Sequence, residues 1–259
     1  MKIRILVTTA LLLVLSVATA APNGLARGPT MYPVAKPVLV DETAANTLFV
    51  GNSFTYYNNG LHAHYRNLLL AASADGKSRG VQRSITISGG TLAEHEGGLS
   101  QMLSETSWDR VILQGYSDEP TAAGKAESFQ VAARAYAQAI RDNGAEPMFF
   151  MTWAYTDRPE MTAQLEEAYS VIGAELDAQV VPVGLAFAQA LSLRPELALV
   201  IDDNKHPTLA GTYLAACTFY AALHGRSPEG LAYTAGLAKN DAGFLQEVAW
   251  RTWLDYDLR

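Results

Sequence analysis

The stretch Leu48–Thr55, LFVGNSFT, determines how the start of the fold is interpreted and raises the main functional question. Its apolar residues form a short continuous run, which predicts a buried strand that ends at Gly51. Ser53 then lies where a helix should begin. A serine there can cap the helix by accepting a backbone N–H, or it can be a nucleophile.

Four further strand-like runs follow, separated by longer segments with helical spacing of their apolar residues. The strands are predicted in NTLFVG (46–51), SITIS (84–88), DRVILQG (109–115), EPMFFMTW (146–153) and AQVVPVG (178–184). The clearest helices are predicted over 125–144, 159–177 and 243–258. This alternation predicts a single domain over residues 46–259, a three-layer α/β/α sandwich with a mostly parallel five-stranded sheet.

The N-terminus has the pattern of an export signal. Residues 1–20 carry Lys2 and Arg4, then an uncharged apolar run, then Ala18-Thr19-Ala20, which is typical of a cleaved signal peptide. A retained membrane anchor is the alternative, although the apolar run is short for a membrane span. Residues 21–45 hold four prolines and predict an extended lead-in. We therefore expect a periplasmic or secreted protein without stable membrane insertion after cleavage.

The charge and the cysteine content limit the classes of partner. Removal of Lys2 and Arg4 leaves 17 of the 19 basic side chains against 26 acidic ones, a net charge of −9. This balance argues against nucleic acid and anionic membrane surfaces as partners. The single cysteine, Cys217, lies in an apolar segment and is expected to be a buried thiol. No Cys, His and carboxylate cluster has metal-ligand spacing, so neither a metal nor another cofactor is expected.

Chemically useful residues occur at the ends of the predicted strands. Ser53, Gly89 and Gln114 each follow or end a strand, and ligands of open parallel sheets bind at that edge. Asp203 and His206 lie three residues apart before a predicted helix, so the carboxylate can accept a hydrogen bond from Nδ1 and leave Nε2 free for Ser53. The alternative is a solvated loop in which Asp203 caps that helix.

An acyl-transfer mechanism also needs donors for the developing oxyanion. The Ser53 amide is one candidate, and the glycine pair that begins at Gly89 allows backbone N–H groups to approach a ligand closely. The Gln114 side chain could add an amide. An ordinary tight turn at the glycines and a loop-bonding role for Gln114 are the alternatives. His95 follows the glycine block and could line the pocket, but a capping or surface histidine is the favoured interpretation. Trp153 could form a pocket wall, with packing in the core favoured.

At this point the chain resembles the SGNH (GDSL-type) hydrolase superfamily. VGNSFT (50–55) is similar to the nucleophile block, SGGT (88–91) to the block with the oxyanion-hole glycine, and DNKHP (203–207) to the D-x-x-H block. The resemblance implies that Ser53 is the nucleophile and an oxyanion donor. It also implies that Gly89 is a second donor, Asp203 the orienting acid and His206 the base.

Two departures from the family pattern affect the site. The usual G-D-S reads Gly51-Asn52-Ser53, and the block that normally reads G-x-N-D is LQGYSDE (113–119), without an asparagine. Gln114 is the predicted replacement donor, with Tyr116 and Ser117 as alternatives.

The resemblance implies a serine ester hydrolase for short acyl esters such as acetyl groups on a carbohydrate. An exported carbohydrate-binding or acyltransferase-like module with little turnover is the first alternative. A flavodoxin-like nucleotide-binding domain is the second, but the chain lacks a G-x-G-x-x-G or Walker pattern.

Overall fold

A five-stranded sheet lies at the centre of the computed structural model, which describes residues 45–77 and 80–258. Its order is β2-β1-β3-β4-β5, and every pairing between these strands is parallel. The strands are β1 (Thr47–Gly51), β2 (Gln82–Thr86), β3 (Arg110–Leu113), β4 (Glu146–Phe150) and β5 (Gln179–Val181). All five predicted strands are therefore confirmed. The predicted signal peptide, and the predicted lead-in apart from Ala45, lie outside the described residues.

Helices connect the strands and follow the last one. They are α1 (Ser53–Tyr56), α2 (Leu61–Ala72), α3 (Glu96–Glu105), α4 (Ala126–Asp142), α5 (Met161–Glu175), α6 (Val183–Leu193), α7 (Leu209–His224) and α8 (Lys239–Asp257), with a 3-10 turn at Ala93–His95. The chain crosses the sheet in one direction from β1 to β2 and in the other from β2 to β5. Right-handed crossovers therefore place α2 on one face and α3, α4 and α5 on the other, and α7 packs against α2. The predicted three layers are confirmed.

The sheet is buried on both faces, which explains why its strands read as apolar runs without alternation. Every residue of β1 and β3 is buried. On the α7 face, Phe49 of β1 makes edge-to-face contacts with Tyr65 of α2 and Phe219 of α7, with ring centroids 5.8 and 5.2 Å apart. Cys217 is buried, as predicted. The helix predicted from Pro159 begins two residues later, at Met161, because residues 159–160 form a turn.

The strand register brings three chain segments together at one sheet edge. Gly51 pairs with Thr86 of β2, and Val50 pairs with Leu113 of β3. The segments after these strands therefore leave the sheet side by side: residues 52–53, 87–90 and 114–117. A fourth segment, which contains residues 201–206, is closed by an antiparallel bridge between Val200 and Pro207.

No helix in the described part of the chain combines the length and the apolar character that a membrane crossing needs.

Candidate active site

The N-cap of α1 is Asn52, and this leaves the hydroxyl of the next residue available. Asn52 Oδ1 accepts the N–H of Phe54 at 3.2 Å. Ser53 is the first residue of the helix and is 9% exposed. Its Oγ lies 2.8 Å from Nε2 of His206, 153 residues further along the chain. The choice between cap and nucleophile is thus resolved in favour of a serine hydroxyl that contacts a histidine.

His206 is held by Asp203 in the way that the three-residue spacing predicts. Nδ1 of His206 contacts Oδ2 of Asp203, and Oδ1 accepts the N–H groups of Lys205 and His206 at 2.9 Å each. Partial burial would raise the pKa of Asp203, but the bonds from the His206 ring and from these amides outweigh it and lower the pKa to about 2. Asp203 is therefore a carboxylate at neutral pH, and it selects the tautomer whose Nε2 accepts the Ser53 proton.

Aromatic side chains fix the orientation of the His206 ring. Tyr57 stacks on it with centroids 4.5 Å apart and planes 10° from parallel, and Phe54 contacts it edge to face at 5.8 Å. Asn58 connects α1 to the same turn, since its Nδ2 donates to the carbonyl of Pro207 at 3.0 Å and to Oγ1 of Thr212 at 2.8 Å. The segment after Ser53 therefore holds both the ring and the turn that carries it.

Trp153 connects the nucleophile helix to the His206 turn, a role that the sequence did not indicate. Its indole lies between the rings of Phe54 and Phe187, with centroids 4.2 Å away on each side. Its Nε1 donates to the carbonyl of Lys205 at 2.9 Å. Trp153 is buried in the core, as predicted, but it also positions the residues on both sides of the catalytic hydrogen bond.

Asn52, which replaces the aspartate of the family pattern, joins the three segments at the sheet edge. Its Nδ2 donates to the carbonyl of Gly90 at 3.1 Å and to that of Gly115 at 3.4 Å. An aspartate could not donate either bond. Asparagine at position 52 therefore makes two hydrogen bonds, to Gly90 and to Gly115, that the aspartate of the family pattern could not make.

The contacts of Gln114 argue against the predicted role of its amide as an oxyanion donor. Gln114 is completely buried, and its Nε2 donates to Oδ1 of Asn52 at 2.7 Å and to the carbonyl of Gly115 at 2.9 Å. Both amide protons are thus engaged. Its Oε1 accepts a hydrogen bond from the Thr55 hydroxyl at 2.7 Å. The same oxygen would lie only 2.4 Å from a Cβ added at Gly51. The glutamine thus holds residues 51–53, the nucleophile turn, through its contacts with Asn52 and Thr55.

One group of each alternative residue, Tyr116 and Ser117, also has a partner within the chain. The Tyr116 amide donates to Oε2 of Glu119 at 2.7 Å, and the Ser117 hydroxyl lies 2.6 Å from that of Tyr155. Glu119 is buried, and the same Oε2 accepts the Leu92 amide at 3.0 Å. Burial raises the pKa of Glu119, against the effect of these two amides. The carboxyl group therefore joins the segment after β3 to the glycine loop, residues 88–91.

Two backbone amides are candidate oxyanion donors. Gly89 is the third residue of a turn closed by the Gly90 amide on the Ile87 carbonyl at 3.0 Å, and its φ of +65° is one that glycine adopts without strain. Within residues 45–77 and 80–258, no hydrogen bond takes the amide proton of Ser53 or of Gly89. Both groups follow neighbouring strands, and both are available to a ligand oxygen.

His95 is buried, in contrast to the favoured expectation of a capping or surface histidine. It is 2% exposed instead of on the surface, and its ring lies between the nucleophile turn and the glycine loop. Its position directly after the glycine loop was the one available signal. In the described part of the chain, no group of three or more His, Cys, Asp or Glu side chains could hold a metal ion.

Comparisons with known proteins identify the fold. No family model matches the chain, and no curated protein matches its sequence. A structure from Slackia heliotrinireducens, provisionally described as an SGNH hydrolase, is similar with a TM-score of 0.59 and 25% identity over 70% of this chain and 99% of that one. A DUF4886 family protein from Bacteroides uniformis has a TM-score of 0.63 and 18% identity over 83% and 96% of the two chains.

An acetyl xylan esterase from Geobacillus stearothermophilus is also similar, with a TM-score of 0.57 and 18% identity over 70% of this chain and 95% of that one. The chain has the SGNH (GDSL-type) hydrolase fold, as its sequence motifs predict.

Proposed function

We propose that this protein is a serine ester hydrolase that acts through an acyl-enzyme on Ser53. The observation that supports this most directly is the continuous contact from the Ser53 hydroxyl to Nε2 of His206 and from Nδ1 of His206 to Asp203. A serine hydroxyl is a weak nucleophile unless a base accepts its proton during attack. His206 is oriented for that role by the carboxylate and by the Tyr57 ring.

In the acylation half-reaction, the Ser53 oxygen forms a bond to the ester carbonyl carbon while its proton moves to Nε2 of His206. The carbonyl oxygen becomes an oxyanion that accepts hydrogen bonds from the amide N–H groups of Ser53 and Gly89. The tetrahedral intermediate then collapses, and His206 gives its proton to the departing alcohol. In deacylation, His206 removes a proton from a water that attacks the acyl carbon, and Ser53 leaves with that proton.

Short acyl groups on a carbohydrate are the proposed substrates. The acetyl xylan esterase among the similar structures supports this choice. We expect p-nitrophenyl acetate to be cleaved faster than the octanoate, and acetylated sugars to release acetate.

The test compares wild type, Ser53→Ala and a control serine variant on these esters and with a fluorophosphonate probe. Ser100 is exposed on α3 and provides the control, Ser100→Ala. Wild type and Ser100→Ala should hydrolyse esters and take up the probe, whereas Ser53→Ala should do neither. Folded wild type that is neither labelled nor active would contradict the proposal.

An exported carbohydrate-binding or acyltransferase-like module with little hydrolytic turnover is the second candidate. One observation favours it: the Gln114 side-chain amide and the Tyr116 backbone amide are both engaged within the chain, which argues against either as the third oxyanion donor. Labelling of Ser53 with transfer of acetyl to a sugar instead of water would support an acyltransferase. Binding of a polysaccharide without labelling would support a binding module.

We also propose that the protein is exported and that residues 1–20 are removed. N-terminal sequencing of protein recovered from the periplasm or the medium tests this, with Ala21 expected as the first residue. An intact Met1 on such protein would contradict the cleavage.

A further inference from the structure

Both ring nitrogens of His95 face backbone carbonyl oxygens. Nε2 lies 2.7 Å from the oxygen of Gly51, and Nδ1 lies 2.9 Å from the oxygen of Thr91. A carbonyl oxygen accepts a hydrogen bond and has no proton to donate. The ring is buried, at 2% exposure, so water cannot readily replace either partner.

A neutral imidazole cannot make both bonds. It carries one N–H, and its other nitrogen would present a lone pair to a carbonyl oxygen at hydrogen-bond distance. Exchange of the tautomer only moves the mismatch to the other nitrogen. The imidazolium form, with a proton on each nitrogen, satisfies both oxygens.

Another buried histidine of the same chain provides a contrast. His64 has one nitrogen 2.6 Å from the carbonyl oxygen of Asn58 and the other 2.8 Å from the Tyr233 hydroxyl. That hydroxyl can donate, so a neutral ring with one N–H satisfies both contacts. Neither carbonyl partner of His95 can donate, so a neutral His95 ring would satisfy only one of its two contacts.

The ionisable groups around His95 are mostly acidic. Glu94 and Glu96 belong to the same segment, Glu119 comes from the loop after β3, and Tyr136 of α4 donates to the Ala93 carbonyl at 2.8 Å. The pKa of Glu94 is lowered chiefly by its bond from the Thr91 amide, then by the Thr91 hydroxyl, and further by the charge of His95. Carboxylates near a buried cation offset part of the cost of its burial.

The two carbonyl groups belong to the segments that carry the proposed oxyanion donors. Gly51 is two residues before Ser53, and Thr91 is two residues after Gly89. We propose that His95 is a positioning residue that acts as an imidazolium, joining the nucleophile turn to the glycine loop and so fixing the Ser53 amide relative to that of Gly89. The kinetic consequence rests on the proposed ester hydrolysis, whereas the charge state does not.

The proposal implies a loss of activity at alkaline pH. His206 must be neutral to act as the base, so its protonation lowers kcat on the acidic side. Deprotonation of His95 breaks one of its two bonds and loosens the two segments, which lowers kcat on the alkaline side. A bell-shaped profile is expected, with one limb from each histidine.

The charge state can be measured on wild type without any variant. In ¹⁵N-resolved NMR spectra of the imidazole groups near pH 7, we expect protons on both nitrogens of His95 and on one nitrogen of His64. His95→Gln assigns the signals by removing them. A single proton on the His95 ring would overturn the proposal, whether or not an ester substrate is found.

The positioning role is tested by pH profiles of p-nitrophenyl acetate hydrolysis for wild type, His95→Gln and His62→Gln. The two carbonyl oxygens face different ring nitrogens, and the single amide nitrogen of a glutamine cannot replace both. His95→Gln should therefore lower kcat by about tenfold, leave KM nearly unchanged and remove the alkaline limb. His62 lies on α2 and lines a separate groove with Arg66 and Arg83, so His62→Gln should match wild type.

An unchanged alkaline limb in folded His95→Gln would overturn the positioning role. If wild type hydrolyses no ester, the rate of fluorophosphonate labelling of Ser53 is measured against pH in the same three proteins. Failure of ester hydrolysis is thereby distinguished from failure of the His95 proposal.

Discussion

The indole N–H of Trp153 donates to the carbonyl oxygen of Lys205 at 2.9 Å, directly before the histidine that contacts Ser53. The same indole stacks on Phe54, directly after that serine, with planes 8° from parallel. One buried side chain thus contacts the neighbour of each partner in the Ser53–His206 hydrogen bond. We therefore expect the 2.8 Å separation of those two partners to depend on this buried side chain.

Trp153→Phe tests this dependence. Phenylalanine keeps an aromatic ring between Phe54 and Phe187 but removes the donor to Lys205. We expect kcat to fall by about tenfold, with little change in KM, because the His206 turn loses one hydrogen bond. Trp250→Phe, at a half-buried position on α8, is the control and should leave kcat within about twofold of wild type. Equal kinetics for the two variants would show that the bond does not position His206.

Asp203→Asn should preserve the fold and lower kcat by up to about four orders of magnitude, as the same change does in serine protease triads. The asparagine amide favours the wrong His206 tautomer. Asp202→Asn is the matched control, because Asp202 is exposed and adjacent. A larger loss in Asp202→Asn than in Asp203→Asn would show that the wrong carboxylate has been assigned.

The lowered pKa of Asp203, about 2, has a consequence for the pH dependence of activity. The carboxylate stays ionised well below neutral pH, so the acid limb of kcat should report protonation of His206 instead. A pH profile of wild type that shows a single acid limb would agree with this assignment. An additional step near pH 2 in a stability curve would report Asp203 itself, since its contribution is lost as the pH falls through that value.

Gln114→Ala should act mainly on stability. The change removes one of the two donors to Oδ1 of Asn52, which keeps its bond from the Phe54 amide, and it leaves the Thr55 hydroxyl without its buried acceptor, a loss that costs about 1–3 kcal/mol. We expect a clear drop in Tm and a secondary fall in kcat. Gln114→Glu should be worse, because a carboxylate cannot donate to Asn52 or Gly115. A large kcat defect with an unchanged Tm would instead restore Gln114 as an oxyanion donor.

Gly89→Ala should lower kcat through the backbone. A Cβ at residue 89 meets nothing within 4 Å, but the φ of +65° costs a non-glycine residue about 1 kcal/mol or more. The turn should therefore shift and move the amide away from the oxyanion. Gly97→Ala, in α3 with equally open space, is the control and should leave kcat unchanged and raise Tm slightly. Equal kcat values for the two variants would exclude the Gly89 amide as a donor.

Stability should decrease with acid because of His224. Burial, with smaller effects of Arg110 and Arg226, lowers the pKa of His224 to about 3, and its Nε2 contacts the Tyr65 hydroxyl at 2.8 Å. Between about pH 6.5 and pH 3 the unfolded chain binds this proton and the folded protein does not. The free energy of unfolding should then fall by up to about 1.4 kcal/mol per pH unit.

Urea unfolding of wild type and His224→Gln at several pH values between 7 and 4 tests the assignment. Glutamine can still accept the Tyr65 hydroxyl but does not titrate, so its curve should be flatter. Parallel curves would show that other groups cause the acid sensitivity.

The strands and the Ser53, Asp203 and His206 constellation could be predicted because they depend on local sequence. Apolar runs define strands buried on both faces, and a three-residue spacing lets Asp203 reach the His206 ring. Gln114 was placed correctly at the end of its strand, but the direction of its amide depends on Asn52, 62 residues earlier in the chain. Long-range partners of this kind leave no periodic signal.

His95 was misjudged for a related reason. Its neighbours Glu94 and Glu96 are polar, which favours a surface position, yet the ring is buried and contacts the carbonyl groups of Gly51 and Thr91. Only the assembled sheet edge reveals that two carbonyl oxygens converge on it. Trp153 was expected in the core, and its donor function likewise depends on a loop about 50 residues later.

The distance along the chain between Ser53 and His206 also affects when the protein can become active. The proposed nucleophile is synthesised 153 residues before its base. The loop that supplies the base leads into α7, and α7 packs against α2, a helix from the early part of the domain. A nascent or truncated chain that ends before residue 206 has the serine but no means of activating it. Appearance of esterase activity during refolding would therefore report the docking of the segment that carries His206, and not only the formation of the sheet, whose last strand ends at Val181.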